Sequence, residues 1–239
     1  MKIDLDFHSF LTYLQLFNTF TTVFLNITPI FVIIPLIKGK VTYKNIPFLM
    51  LFLNLLNATC WGCYWFRKSF LIPTISNTIC FIASFTFCLI YFYYFSSKNI
   101  KKFCVCLPIL CLSENAIIFS SIYLIGLKPF GIVLIVLNIL LFIAPGQYIV
   151  RVIKEKDHKL IPIVTTIVAI ICSGGWLAFG ILVKDLICII PNAVGLIPSI
   201  LNTALWIYYY IRKIRIGFRH RLNEESVIKN NQVNQVEIK

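Results

Sequence analysis

The chain has 239 residues, 59% of them hydrophobic and 13% charged, with a formal net charge of +13 and mean hydropathy +0.87. That balance excludes a soluble domain with a polar shell. The positive charge does not point to nucleic acid, which would need a basic face interleaved with exposed aromatics, whereas here the aromatics lie inside apolar runs.

Those runs are long enough to cross about 30 Å of hydrocarbon at about 20 residues per helix. Seven are expected, at roughly 10–37, 46–66, 69–95, 103–127, 129–150, 161–183 and 186–211. The first follows the leader MKIDLDFHS, whose Asp4 and Asp6, together with the length of the run, argue against a cleaved signal peptide. It carries Pro29 and the sequon Asn26-Ile-Thr28, the second carries Asn57-Ala-Thr59, and neither sequon is expected to be glycosylated within a span. In the second run Cys60-Trp61-Gly62-Cys63 has the spacing of a redox pair but not the solvent-accessible context, so its thiols read as small packing groups. All nine cysteines fall inside expected helices, with no extracellular disulfide framework. The fourth run holds Glu114, the one carboxylate deep in any span, expected to be protonated, paired or facing another helix. From about Gly217 the tail is polar and aperiodic and is expected to be unstructured, with the basic segment Arg212–Arg221 resting on anionic lipid.

One spacing occurs twice. Lys44-x-Ile46-Pro47 and Lys159-x-Ile161-Pro162 stand 115 residues apart, each followed 14 residues later by a tryptophan (Trp61, Trp176) and after 16 more by an asparagine (Asn77, Asn192). A duplicated unit with paired polar groups inside apolar runs points to a transporter whose site lies between two related halves. With the N-terminus outside, 17 of the 22 basic residues fall in inner loops and the tail, and five (Lys2, Arg67, Lys68, Lys128 and Lys184) fall outside. The positive-inside rule therefore selects that orientation and the count of seven spans. Two three-helix units in the same orientation require one crossing between them. The expected fold is an all-α membrane protein of seven transmembrane helices, two parallel three-helix bundles joined by a linker helix (3+1+3). Its parts are a first repeat at 1–97, a linker loop and helix at 98–128, a second repeat at 129–211 and a cytoplasmic tail at 212–239.

Pro29, Pro47, Pro145 and Pro162 fall at one depth near the inner face, two per repeat. Each removes a backbone hydrogen bond, so together they read as an inner gate; singly, Pro47 and Pro162 read as ordinary first-turn prolines. Asn77 and Asn192 fall in the outer half, where an amide must find partners. Repeat symmetry makes them a facing pair across a central pathway, and amides suit sugar hydroxyls because each offers donors and an acceptor. Helix–helix bonding is the other use of such amides, one open to Asn54, Asn57, Asn138 and Asn202. Trp176 lies too deep for an interfacial belt and is either a stacking platform or core packing, while Trp61 sits nearer the outer end, in a belt or gate. The six repeat helices lack a mid-depth acid, Asp185 being at an outer turn beside Lys184. This favours downhill, uncoupled movement of a neutral solute. No phosphate loop is visible and no lysine lies in the last span, which removes an ATP-driven pump and a retinal receptor.

With these residues in place, the chain resembles the SWEET (MtN3/saliva) family of sugar uniporters, which are built from parallel repeats. In the second repeat the likeness rests on Ala144-Pro145, Lys154-Glu-Lys156, Ile161-Pro162, Trp176, Phe179-Gly180, Asp185, Ile190-Pro191-Asn192 and Gly195. In the first it rests on Thr28-Pro29, Lys38-Gly-Lys40, Pro47, Trp61-Gly62 and Asn77. The resemblance implies that Pro29, Pro47, Pro145 and Pro162 form the proline tetrad, that Asn77 and Asn192 bind sugar, and that Trp176 stacks on it. It also places the small pocket residue at Ala58 and an outer gate at Trp61 and Asp185. It implies a facilitative bidirectional carrier of a mono- or disaccharide rather than an enzyme, with no cofactor or metal and no nucleic acid partner. The carrier would be homo-oligomeric, embedded in the lipid bilayer of the plasma membrane, with the C-terminus in the cytoplasm. The alternative is a PQ-loop carrier moving an amino acid or cystine with protons, although here the prolines precede Ile30 and Gly146 rather than glutamine. A seven-helix receptor is a third class and gives no reason for the duplicated spacing.

Overall fold

The computed structural model describes residues 2–46, 48–96 and 100–237, with side chains outside 2–5, 45, 100–108, 143–148 and 220–237. Among the described residues the chain is all helical: α1 Lys2–Ile27, α2 Ile30–Ile37, α3 Phe48–Arg67, α4 Leu71–Phe95, α5 Ile100–Phe119, α6 Leu127–Leu141, α7 Ile143–Glu155, α8 Ile163–Leu182 and α9 Leu186–Glu237. Among the described residues, five segments are long and apolar enough to cross a bilayer: Asp6–Ile37, Phe48–Arg67, Leu71–Phe95, Ile163–Leu182 and Leu186–Arg219. Leu127–Leu141 is apolar but shorter, because the helix breaks at Phe142, and the part of α5 with described side chains, from Ile109, is apolar too. α9 runs on as helix to Glu237, where the sequence reading expects an unstructured tail; residues 218–237 contain neither proline nor glycine to stop it.

The duplication is written in the backbone. α3 and α8 each have 20 residues and begin and end 115 positions apart, and α4 and α9 begin at the same offset. So do the short 3₁₀ turns Tyr43–Asn45 and His158–Leu160. Each of α3 and α8 ends in a left-handed residue, Ser69 (φ 61°) and Lys184 (φ 55°), again 115 apart. The next amide then closes the turn on an earlier carbonyl, Phe70 N on Trp65 O (3.0 Å) and Asp185 N on Gly180 O (2.8 Å). This matched helix stop satisfies carbonyls that the helix would otherwise leave orphaned.

The leading helix of each unit is broken at a matching place. In the first unit Pro29 has no N–H to give the Leu25 carbonyl. Thr28 fills that vacancy, its backbone N–H at 3.2 Å and its hydroxyl at 2.6 Å from Leu25 O. In the second unit α6 ends at Leu141 and α7 starts at Ile143, with Pro145 in the first turn of α7, where its missing N–H costs nothing.

Packing follows the repeat. α4 lies against α1 and α3, and α9 lies against α6, α7 and α8, giving two helical units. The units meet through α1 on α8 and α3 on α6, while α5 packs on α3 and α4. One buried cluster is shared by both units: Cys60, Trp61, Cys63, Tyr64 and Trp65 with Phe130, Leu134, Cys172, Trp176, Phe179 and Cys188. At the other end the cores are separate, Ile33, Leu36, Leu51, Leu55 and Phe87 in one unit and Val152, Ile161 and Tyr209 in the other. The molecule is thus joined at the end of the Ser69 and Lys184 turns and divided at the end where α8 begins. The described cysteines are free thiols, Cys60 and Cys63 included.

Candidate functional site

Between the two units lies a cavity of about 350 Å³, at the small end of the range of about 300–1,000 Å³ usual for ligand pockets. It reaches from the three indoles of Trp61, Trp65 and Trp176 to Pro162 at the start of α8. Its wall carries seven asparagines (Asn26, Asn54, Asn57, Asn77, Asn138, Asn192 and Asn202) and the hydroxyls of Thr22, Thr28, Thr165, Thr166, Ser173 and Ser199. None of the residues described as lining it is charged.

The repeat-related asparagines are held alike. Asn77 Nδ2 donates to Pro73 O at 2.8 Å, and Asn192 Nδ2 donates to Cys188 O at 2.8 Å, each one helical turn back. The amide plane is thereby fixed, and the remaining donor and acceptor capacity is left for the cavity. Asn138 is tied in the same way to Leu134 O (2.9 Å) and Asn26 to Thr22 O (3.0 Å). Asn57 Oδ1 is buried without a hydrogen-bond partner. Trp176 gives its indole N–H to Thr22 Oγ1 (2.8 Å), so the ring is oriented from α1 of the opposite unit. Beside it Asn18, wholly buried on α1, presses on Gly175, where a Cβ would overlap the amide oxygen.

Beyond the indoles the cavity is closed by a polar clasp. Asp185, 4% exposed, accepts from Tyr64 Oη at 2.8 and 2.9 Å and from Lys68 Nζ at 2.7 Å. It also caps α9 by accepting from Ile187 N at 3.0 Å. Tyr64 and Lys68 belong to the first unit and Asp185 to the second, so the clasp ties the units together at their joined end. Trp61, expected with Asp185 at an outer gate, is not among the donors to it, which are Tyr64 and Lys68. Tyr64 lies three residues further along α3, nearer the turn that carries Asp185, while Trp61 faces the cavity and stacks on Trp65.

Of the residues singled out in the sequence, Ala58, Trp61, Asn77, Pro162, Trp176 and Asn192 line the one cavity. Asp185 stands outside it in the clasp, and Pro29 at the α1–α2 break adjoins its lining residue Thr28. Pro47 and the side chain of Pro145 lie outside the described residues. Sequence reasoning did not place Thr22, Trp65, Cys172 and Ser173 in the wall, nor Tyr64 and Lys68 in the clasp. Two signals were available: Ser173 is the repeat mate of Ala58, and Trp65 follows Trp61 by one helical turn.

Residues 128–214, which span the second unit, match the family model described as a sugar efflux transporter for intercellular exchange. The chain is 26% identical over 204 residues to the bidirectional sugar transporter SWEET1 of Arabidopsis thaliana, covering 83% of each protein. It is 29% identical over 174 residues to the sugar transporter SWEET1 of Caenorhabditis elegans, covering 71% of this chain and 55% of that relative, so it spans about half of the latter's length. A solved eukaryotic SWEET transporter superposes with a TM-score of 0.73 at 20% identity, covering 84% of this chain and 96% of that one. The chain is thus similar to SWEET sugar transporters in sequence, and its second unit matches their family model. The likeness to the solved SWEET structure is one of fold; the long apolar helices, with the transporter relatives, support a membrane protein. The family match covers the second unit, and the 115-residue duplication in the backbone relates the first unit to it.

Proposed function

We propose that the chain is a facilitative, bidirectional sugar carrier that works by alternating access without ion coupling. The observation that carries this is the cavity wall: amides, hydroxyls and indoles between two repeat units, with no charged side chain described in it. Such a wall suits a neutral polyol. Each amide offers donors and an acceptor to sugar hydroxyls, and an indole face packs against a sugar's C–H face. Two parallel three-helix units with α5 as the linker helix, seven spans in all, complete the proposed architecture. Asn77 and Asn192 grip the solute from the two units and Trp176 is its platform, with Ala58 leaving room beside it.

The conformation described has the clasp closed and the opposite end divided. With basic loops inside, the clasp is the outer gate and the cavity opens toward the cytoplasm through the proline end. The breaks at Pro29 and Phe142, with Pro47, Pro145 and Pro162, are the hinges and inner gate about which the units rock. The carrier is placed in the plasma membrane as a homo-oligomer, N-terminus outside, and needs no cofactor. Glu114, the acid that proton coupling would call for, is not among the residues lining the cavity, which leaves the proton-coupled amino-acid carrier without support.

Labelled hexose counterflow in proteoliposomes, with and without a pH gradient, tests the reading. The wild type is expected to exchange hexose equally in both conditions, and Asn192→Ala to lose at least about tenfold while reconstituting normally, as loss of a substrate hydrogen bond predicts. Hexose exchange that persists in Asn192→Ala at the wild-type rate would remove the site assignment. Exchange driven by the gradient would return the proton-coupled class.

A further inference from the structure

Trp61 and Trp176 are repeat mates, yet a third indole stacks on both. The ring of Trp65 lies 5.5 Å from that of Trp61 at 22° and 5.9 Å from that of Trp176 at 20°. Its edges meet Phe70 at 5.6 Å and Phe179 at 5.7 Å, and the side chain is 2% exposed while still forming part of the cavity wall. The repeat mate of Trp65 is Gly180. The two positions are equivalent in backbone, since each carbonyl accepts the amide that closes the helix stop. They differ only in what the side chain does. A Cβ at Gly180 would stand 3.0 Å from Ile189 and 3.2 Å from Cys188, so that position is filled by the close approach of α9. Position 65 instead projects the largest side chain of the set into the space between the units.

Resting on the sugar-carrier reading above, we propose that Trp65 is a specificity-determining residue that fills the clasp end of the cavity and limits the solute to a single sugar ring. An indole stacked on Trp61 and Trp176 takes the place where a second ring would lie against the same two faces. The first ring would meet the amides and hydroxyls of the wall toward Pro162. The filter is supplied by one unit alone, so exchanging Trp65 for the residue of its repeat mate removes it without touching an amide of the grip.

The test is counterflow by purified protein in liposomes, with labelled glucose and labelled sucrose as probes, for wild type, Trp65→Gly, Trp65→Ala and Trp65→Phe. Counterflow needs a carrier cycle, so a simple leak does not register. The sucrose-to-glucose ratio is taken within each preparation and is independent of yield. The wild type is expected to exchange glucose and exclude sucrose. Trp65→Gly and Trp65→Ala should raise the ratio about tenfold or more, a size expected when a pocket gains room for a rejected group, with Trp65→Phe between. If the glycine and alanine variants fail to fold, the phenylalanine variant decides by the same ratio. An unchanged ratio in active variants, or sucrose exchanged by the wild type as readily as glucose, overturns the filter and leaves the carrier reading standing. Loss of glucose exchange in all the folded variants also overturns it, making Trp65 part of the grip. A wild type that exchanges neither sugar sinks the carrier reading itself.

Discussion

Glu114 shows how a charged residue is accommodated where charge is expensive. It sits on α5 at 2% exposure, one carboxylate oxygen accepting from Thr59 Oγ1 at 2.6 Å and the other, Oε1, without a partner. A charge at the centre of a bilayer costs about 2.5–3.5 kcal/mol on insertion scales, so the neutral acid is the form that fits. Its bond runs to α3, and α3 carries Ala58 and Trp61 into the cavity. On this geometry Glu114 holds α5 against the first unit and is not among the residues lining the cavity. Glu114→Gln keeps an acceptor for Thr59 and is expected to exchange hexose at the wild-type rate with no pH dependence. A tenfold fall in counterflow would give this carboxyl a part in transport.

At the scale of elements, the two leading helices are broken at matching places, but the two breaks are seated differently. Thr28 closes the first by occupying the Leu25 carbonyl. The second is seated by packing, because the Phe142 ring lies against α9 at Gly195, where a Cβ would overlap three ring carbons. A planar ring at a helix break gives way less easily than a flexible side chain tip. Gly195→Ala is therefore expected to cost about 1–3 kcal/mol through overpacking. At about 2–4 °C per kcal/mol for a chain near this size, that lowers the thermal midpoint by several degrees in detergent. A midpoint within one degree of wild type would show that α7 and α9 shift apart without strain. The asparagines obey a simpler local rule: an amide in a helix reaches the carbonyl one turn back, and Asn26, Asn77, Asn138 and Asn192 all do so.

Over the whole molecule, the shared core at one end and the divided cores at the other correspond to one arm of the proposed alternating cycle. The clasp sits on the joined end, so its bonds favour this arm and must break for the other. A double-mutant cycle tests which residues make it. Tyr64→Phe and Asp185→Asn should be non-additive in thermal stability, with a coupling of about 0.5–3 kcal/mol, because they remove the same hydrogen bond. Trp61→Phe and Asp185→Asn should add. The reverse pattern would restore Trp61 as the gate partner.

The helical class, the 115-residue duplication and the paired Pro162, Trp176 and Asn192 with their first-unit mates Trp61 and Asn77 were legible in the chain alone. Each depends on local chemistry: apolar run length, the missing N–H of proline, and an amide placed at a fixed distance along a helix. Trp61, Asn77, Pro162, Trp176 and Asn192 stand in the cavity wall for the same reason, since a repeat places equivalent residues at equivalent depths. Only the tertiary structure decided which way those residues turn. Tyr64 and not Trp61 meets Asp185, and Trp65 stacks on both repeat-mate indoles where its own mate is a glycine. Spacing along a helix sets depth, whereas contact between units depends on the rotation of each helix about its axis. That rotation is set by packing against partners far away in sequence.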